Sequence, residues 1–270
     1  MQKIKNIFTV FFLSLAMATM YSCSATTYRN SQQKIIPRQA FVKIEKLLTV
    51  KGCYTENKRC GTAVFGSTAS GSVIRNTPYG AYVLTAEHVC DESYINNMLA
   101  KITESGDFKY NIDFKIIDLL GEEYSVSVVD EDAENDICIL WVEDLYMQAI
   151  ALSPKKPKPG DRVYNIAAPL GIFAVGMVPI QEGFYNGEKD NKAFYSVPAA
   201  GGSSGSPILN HKGELVGMIH SVYRRFDAIS VSPTYSDLIL FIDSSIKRHS
   251  AEYIIDVYMR ILVGVKKSIQ

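Results

Sequence analysis

The sequence has no surplus of charge, because its 28 lysine and arginine residues equal its 28 aspartate and glutamate residues. Without a net field, nothing points to nucleic acid or to an acidic lipid surface as a partner. It also lacks internal repeats, low-complexity blocks and signals of a second domain. Three of its four histidines, His211, His220 and His249, have no ligand-like spacing with one another or with the cysteines. We therefore expect no metal site and no cofactor.

The sequence lacks a hydrophobic run long enough to be a good membrane span. Its longest apolar run, from Ile7 to Met20, is short and follows Lys3 and Lys5. That pattern is typical of a secretory signal peptide. We predict a signal peptide over residues 1–25 and export to the periplasm or the extracellular space.

The signal region ends in small residues around Cys23. A cysteine in this place resembles the lipobox of bacterial lipoproteins, in which Cys23 would be lipidated. Met20 and Tyr21 depart from that motif, so ordinary cleavage near Ala25 fits as well. The only membrane attachment we expect is through a lipidated Cys23, and the sequence does not indicate an oligomeric state.

Four further cysteines are an even number in an exported chain, which permits disulfides. Cys53 and Cys60 flank a polar turn and are suitably placed to link a hairpin. Cys90 and Cys138 are expected to be small buried residues with free thiols.

Short β-rich runs separated by turn signals dominate the chain after a polar tether over residues 26–40. Strands are predicted over residues 61–65, 70–75, 81–85, 108–119, 124–129, 137–142, 162–167, 178–185 and 215–219. Many short strands at this spacing indicate a sandwich or a barrel in an all-β domain, here residues 41–250. Thr234 and Asp237 predict a capped helix, and apolar residues at helical spacing predict a C-terminal helix over 251–270.

The densest cluster of small residues is Ala200-Gly201-Gly202-Ser203-Ser204-Gly205-Ser206-Pro207, between two predicted strands. A flexible loop is one interpretation. Gly201-x-Ser203-x-Gly205 also matches the nucleophile elbow of α/β-hydrolases, with Ser203 as nucleophile. That fold needs its acid and histidine after the serine, whereas the strand-rich part of this chain comes first, so the elbow is disfavoured.

Two upstream segments favour a different assignment. His88 follows the apolar strand in Tyr82-Val83-Leu84-Thr85-Ala86-Glu87-His88, and Asp136 directly precedes the apolar strand in Asn135-Asp136-Ile137-Cys138-Ile139. With Gly202-Ser203-Ser204-Gly205-Ser206-Pro207, these segments resemble the three motifs of the trypsin-like serine peptidases in the order His, Asp, Ser. Within that family the chain most resembles the bacterial glutamyl endopeptidases and HtrA-type members without a PDZ segment.

The resemblance implies two antiparallel, six-stranded β-barrels with C-terminal helices and a serine endopeptidase acting on proteins or peptides. Ser204 would be the nucleophile, His88 the general base and acid, and Asp136 the group that orients His88. The backbone N–H groups of Gly202 and Ser204 would form the oxyanion hole. Two alternatives stay open, namely an inactive protease-like binding module and an esterase that uses the same serine.

The resemblance places the substrate pocket around Pro198, His220 and Ser221. No acidic residue lies about six positions before Ser204, so a preference for lysine or arginine is not supported. Glutamyl endopeptidases use a histidine near position 220 to meet a substrate carboxylate. His220 is therefore a candidate for acidic specificity, with an exposed strand-end histidine as the alternative.

Overall fold

The structure is a computed structural model that describes residues 36–55, 58–104, 106–223 and 226–268. Its strands form two seven-stranded antiparallel sheets, each with its own apolar core. The predicted signal peptide, most of the tether and Cys23 lie outside the described residues.

The first sheet has the strand order β5-β4-β1-β2-β3-β7-β6. Its strands are β1 Phe41–Tyr54, β2 Cys60–Thr77, β3 Gly80–Thr85, β4 Gly106–Ile117, β5 Glu123–Ser125, β6 Ser127–Asp132 and β7 Ile137–Glu143. Burial alternates along much of β1, because one face of the strand packs on the core. All six residues of β3 are buried, so this strand lies in the middle of the apolar cluster that holds Val83 and Leu140.

The second sheet has the strand order β12-β11-β8-β9-β10-β14-β13. Its strands are β8 Arg162–Ile166, β9 Ile180–Lys189, β10 Lys192–Tyr195, β11 Ser206–Leu209, β12 Leu215–Ile219, β13 Ser221–Tyr223 and β14 Phe226–Pro233. Tyr185 and Tyr195 fill the core beside Ile208 and Val216. The buried hydroxyl of Tyr195 donates to the Val216 carbonyl at 2.9 Å, so the ring brings no unpaired polar atom into the core.

The predicted fold class is confirmed, with one more strand in each sheet than expected. In the first sheet the strand predicted over 124–129 is divided into β5 and β6, and in the second sheet the three-residue edge strand β13 was not predicted, because it is too short to carry a periodic signal. The long strand β1 was also missed in the sequence, although the domain was expected to begin at its first residue, Phe41.

In the described part of the chain, three α-helices accompany the sheets, α1 Glu87–Cys90, α2 Ser93–Thr103 and α3 Tyr235–Ser268, together with 3-10 helices over Arg38–Ala40 and Pro169–Gly171. The two predicted C-terminal helices are one continuous element, α3. Its start is capped as predicted, since the Asp237 N–H donates to Thr234 Oγ1 at 3.2 Å. Within the part of the chain that the structure describes, no helix is both long and apolar enough to cross a bilayer.

Two disulfides are present among the described residues. Cys53–Cys60 links the ends of β1 and β2, which confirms the expected hairpin link. Cys90–Cys138 corrects the expectation of free thiols. Both cysteines are buried as expected, but α1 folds back onto the start of β7 and brings the two sulfur atoms together across 48 residues of chain.

Candidate active site

Strand register brings His88 and Asp136 to one edge of the first sheet. The antiparallel pairing of β3 with β7 aligns Thr85 with Cys138, so the residues just after β3 meet those just before β7. The Nδ1 atom of His88 lies 2.9 Å from Asp136 Oδ2 and 3.0 Å from Oδ1. The backbone N–H of His88 also donates to Oδ1 at 3.0 Å. The carboxylate is thus fixed by both the ring and the main chain of the histidine.

Asp136 has a backbone conformation that few residue types adopt readily. Its φ of 57° lies in the left-handed region, which aspartate and asparagine tolerate better than most side chains. The sharp change of direction occurs immediately before β7. A residue other than aspartate, asparagine or glycine would strain the chain here, independently of its charge.

Each member of this pair changes the pKa of the other. The hydrogen bond to Asp136 raises the pKa of the His88 imidazole above its ordinary value, although burial opposes the shift. Burial by itself would raise the pKa of Asp136, but the proximity of His220 and the bonds from His88 hold it well below its usual range. Asp136 is therefore an ionised acceptor, and the Nδ1 atom of His88 must carry the proton that it donates. In neutral His88 the Nε2 atom then remains free to accept a proton.

The Cys90–Cys138 disulfide lies directly behind this pair. Cys90 follows His88 by two residues, and Cys138 follows Asp136 by two residues. The covalent link therefore joins α1 to β7 at the point where they present the histidine and the acid. The Glu131 carboxylate lies within 4.8 Å of both sulfur atoms, but a disulfide has no thiolate to offer a metal ion.

The serine loop lies between β10 and β11 and is held by close backbone contacts. Gly202 has a φ of +94°, and a Cβ atom there would lie 2.5 Å from the Ala168 carbonyl oxygen. Gly205 has a φ of +83°, and its Cβ would lie 2.1 Å from Thr85 Oγ1. Both positions require glycine, because any side chain would force the loop away from the segments that support it.

Ser70 of β2, which was not selected from the sequence, connects the serine loop to the first sheet. Its Oγ donates to the Gly202 carbonyl at 2.7 Å and accepts from the Ala168 N–H at 3.0 Å. Its backbone N–H donates to the Ser204 carbonyl at 2.8 Å. The side chain is fully buried. The only available sequence signal was a serine inside a strand that otherwise enters the core.

The loop geometry leaves two backbone donors available. Within the described residues, the N–H groups of Gly202 and Ser204 make no hydrogen bond to another protein group. The Gly201 carbonyl accepts from the Leu170 N–H at 2.6 Å, which fixes the plane of the peptide that joins Gly201 to Gly202. In a trans peptide the N–H points opposite to the carbonyl, so the Gly202 N–H points away from Leu170.

The two adjacent serines have different surroundings. Ser203 is buried, and its Oγ accepts from the Ala200 N–H at 3.3 Å. Ser204 is partly exposed and lines a cleft of about 460 Å³ together with His88. No hydrogen bond joins His88 to Ser204 among the described residues, and such contacts are often loose before substrate binds.

The cleft extends from this pair across the first sheet. Its apolar lining comes from β1, β2 and the helical segment after His88, and includes Leu48, Phe65, Val89 and Ile95. The Nζ of Lys46, also in the lining, donates to the Cys90 carbonyl at 2.9 Å. Its positive charge thus supports the end of α1, as cations do at helix C-termini.

The three predicted substrate-binding residues lie outside this lining. Pro198 and Ser221 are exposed. His220 is not the exposed strand-end residue of the alternative prediction, because its side chain is buried. Its side chain is 8 % exposed, and its Nδ1 lies 3.3 Å from Asp136 Oδ2. The ring is turned inward, towards the acid, and the substrate-binding role of His220 stays a prediction.

A family profile described as "Trypsin-like peptidase domain" matches residues 69–218, more than half of the chain. No significantly similar sequence is found among curated proteins.

Solved structures share the fold. A serine endoprotease from Yersinia pestis is similar with a TM-score of 0.57 and 16% identity, over 81% of this chain and 66% of that one. This chain thus spans just under two thirds of the Yersinia protein. The active form of a protease from M. tuberculosis gives a TM-score of 0.53 and 15% identity, over 78% of this chain and 81% of that one. At these identities the likeness establishes the fold.

Proposed function

Because the chain belongs to the trypsin-like peptidase family, we propose that it is a serine endopeptidase that acts through His88, Asp136 and Ser204. The observation that carries the proposal is the His88–Asp136 contact at 2.9 Å at the side of a cleft that Ser204 also lines. A histidine oriented by a carboxylate, next to an accessible hydroxyl, is the arrangement needed for nucleophilic catalysis.

In the proposed reaction, Ser204 Oγ attacks the carbonyl carbon of the scissile bond while His88 Nε2 takes the hydroxyl proton. Asp136 keeps the Nδ1 proton in place and stabilises the imidazolium that forms. His88 then gives its proton to the leaving amine, and the acyl group remains on Ser204. Water, activated by the same imidazole, releases the acid and restores the serine.

The negative charge on the carbonyl oxygen would be met by the N–H groups of Gly202 and Ser204. Their lack of other protein partners supports this role, since an occupied donor would have to break a bond first. One such donor contributes roughly 3–4 kcal/mol of transition-state stabilisation.

The cleft supports endopeptidase activity. Because His88 protonates the leaving amine, the leaving part of the substrate must lie on the His88 side of Ser204. The cleft continues on that side past Val89 to Ile95 and Phe65. Chain beyond the scissile bond therefore has an apolar surface on which to bind.

Export is part of the proposal and is supported by the two disulfides, which persist in oxidising compartments. Attachment to a membrane through a lipidated Cys23 remains a prediction, as do the substrate contacts of Pro198 and Ser221.

The nucleophile is tested by labelling the purified protein with a fluorophosphonate probe. We expect Ser204→Ala to abolish labelling, whereas Ser203→Ala, the matched neighbour, should leave most of it. Labelling that survives in Ser204→Ala and disappears in Ser203→Ala would reject the assignment. Comparing a peptide with an ester of the same acyl group then distinguishes a peptidase from an esterase, and an unlabelled wild-type protein would favour a binding module.

A further inference from the structure

Asp136 has two histidine neighbours. Oδ2 lies 2.9 Å from Nδ1 of His88 and 3.3 Å from Nδ1 of His220. Oδ1 accepts the backbone N–H of His88. The proposed mechanism uses the first histidine and leaves the second without a role, although the ring of His220 is almost fully buried.

His220 is fixed in this position by its strand neighbours. It lies between β12 and β13, and its backbone N–H donates to the Val231 carbonyl of β14 at 3.0 Å. The residue before it, Ile219, accepts from the Gly205 N–H of the serine loop at 2.7 Å. The carbonyl and the N–H of the peptide that joins Ile219 to His220 are thus both hydrogen-bonded, and the ring reaches the acid from the second sheet.

The chemistry of the contact determines which atom donates. An ionised carboxylate only accepts hydrogen bonds, so a histidine nitrogen facing it is favourable only when it carries a proton. His88 and His220 both present Nδ1 to the same oxygen. A second donor lowers the electron density that Asp136 can offer to His88 and restricts rotation of the carboxylate.

We propose that His220 is a positioning residue for catalysis: its Nδ1–H donates to Asp136 Oδ2, orients the carboxylate and limits the basicity of His88. The inference rests on the proposed function, because it concerns the same histidine and acid. It is an alternative to binding a substrate carboxylate, the role for which the sequence made His220 a candidate.

The proposal predicts the direction in which the pH dependence of kcat/KM changes when His220 is replaced. Loss of the His220 donor would leave Asp136 with more charge to share with His88, so the His88 imidazolium would be held more tightly. The acid limb of kcat/KM should then move to higher pH. The other charged side chain acting on His88 is Glu87, which itself faces Asp91 and Glu131, and all three stay unchanged in the variants below.

The test compares His220→Leu, which removes the donor, with His220→Asn, whose amide can replace it. We expect His220→Leu to raise the midpoint of the acid limb by about 0.5–1 pH unit, the size of one hydrogen bond. Its kcat, measured per labelled active site, should fall about tenfold with little change in KM. His220→Asn should remain within about threefold of wild type. A residue that only stabilises the fold would reduce the number of active sites without moving the limb.

Two outcomes would overturn the proposal. One is an unchanged acid limb in His220→Leu. The other is a raised KM, confined to substrates with an acidic residue before the scissile bond, at constant kcat. That second result would restore the role in substrate binding.

A measurement without turnover separates this proposal from the proposed function. In ¹⁵N-histidine spectra of Ser204→Ala, His220 should give a Nδ1 proton signal that is protected from exchange and shifted downfield. The signal should disappear in a Ser204→Ala, Asp136→Asn double variant. With four histidines in the chain, it can be assigned by its absence from a variant that lacks His220. Absence of the signal rejects the proposal even if the enzyme is active, and its presence supports the contact even if the enzyme is not.

Discussion

At the scale of single residues, the pKa shifts of His88 and Asp136 determine the pH range in which their contact stabilises the fold. The hydrogen bond to Asp136 raises the pKa of His88 above its ordinary 6.5, so the stability gained from this bond is complete below 6.5 and is lost as pH rises through the raised pKa. The pKa of Asp136 is lowered from 3.8 despite burial, so its contribution is present above 3.8 and is lost on acidification. The pair stabilises the fold most between 3.8 and 6.5, where His88 is charged and unable to act as a base.

We therefore predict that stability and activity have different pH optima. The acid limb of kcat/KM should have a midpoint above 6.5, because His88 must lose its proton to accept one from Ser204. The melting temperature should be highest on the acid side of the activity optimum. The midpoint is measured from initial rates over a pH series, and the melting temperature from thermal unfolding over the same series.

Asp136→Asn serves as the control for this pH prediction. Asparagine tolerates the left-handed backbone of residue 136 and so removes the charge without strain. The difference in melting temperature between wild type and this variant should shrink as pH rises from about 6 to 9. A limb at or below 6.5, or a difference that does not change with pH, would contradict the prediction.

At the scale of elements, the Cys90–Cys138 disulfide joins the single turn α1 to the first residues of β7. A four-residue helix has little stability of its own, because forming the first turn is costly. The covalent link, together with the Lys46 bond to the Cys90 carbonyl, fixes α1 and hence the direction of His88. Asp136 is held at the other end of the same link.

Replacing both Cys90 and Cys138 by serine should reduce activity as well as stability. Closing a loop of 48 residues contributes about 4 kcal/mol in the chain-entropy model. The matched control replaces Cys53 and Cys60, whose separation of 7 gives about 2 kcal/mol. We expect the control to keep kcat at temperatures where it is folded, and the Cys90/Cys138 variant to lose at least about tenfold. Equal kcat values in the two folded variants would show that the Cys90–Cys138 disulfide does not position the site.

At the scale of the whole molecule, the candidate site is assembled from both sheets. The first sheet supplies His88 and Asp136, and the second supplies the loop with Gly202 and Ser204. Ser70 bonds from the first sheet to that loop, while His220 reaches from the second sheet to the acid. The relative position of the sheets therefore determines whether the three catalytic candidates meet.

Ser70→Ala tests this coupling. The substitution leaves the Gly202 carbonyl and the Ala168 N–H without their buried partner, which costs about 1–3 kcal/mol. It should also lower kcat, because Gly202 carries one of the proposed oxyanion donors, with little effect on KM. Urea unfolding and steady-state kinetics measure the two effects.

Ser72→Ala is the matched control for Ser70→Ala. Ser72 lies two residues further along β2, equally buried, and its Oγ has no hydrogen-bond partner among the described residues. Its removal should be neutral or slightly stabilising. If the two variants behave alike, the bonds from Ser70 to the loop have no functional importance.

The sequence predicts those parts of the candidate site that depend on short, continuous segments of the chain. His88, Asp136 and the serine loop each lie next to an apolar strand, so short motifs and their order sufficed to select them as candidates. Ser70, the orientation of His220 and the Cys90–Cys138 disulfide depend on which strands pair and in what register. A serine within a strand, or a cysteine near a histidine, does not show which distant segment will pack against it. The partners of Ser70 and Cys90 lie more than 40 residues away in the chain.

The division of the candidate site between two sheets also determines when that site is complete. A nascent chain that has completed only its first sheet holds the histidine and its acid but no nucleophile. The serine loop comes later, and the second neighbour of Asp136 arrives only with β12 to β14, close to the end of the folded domain. Cleavage by the proposed mechanism would therefore require that the second sheet has folded against the first.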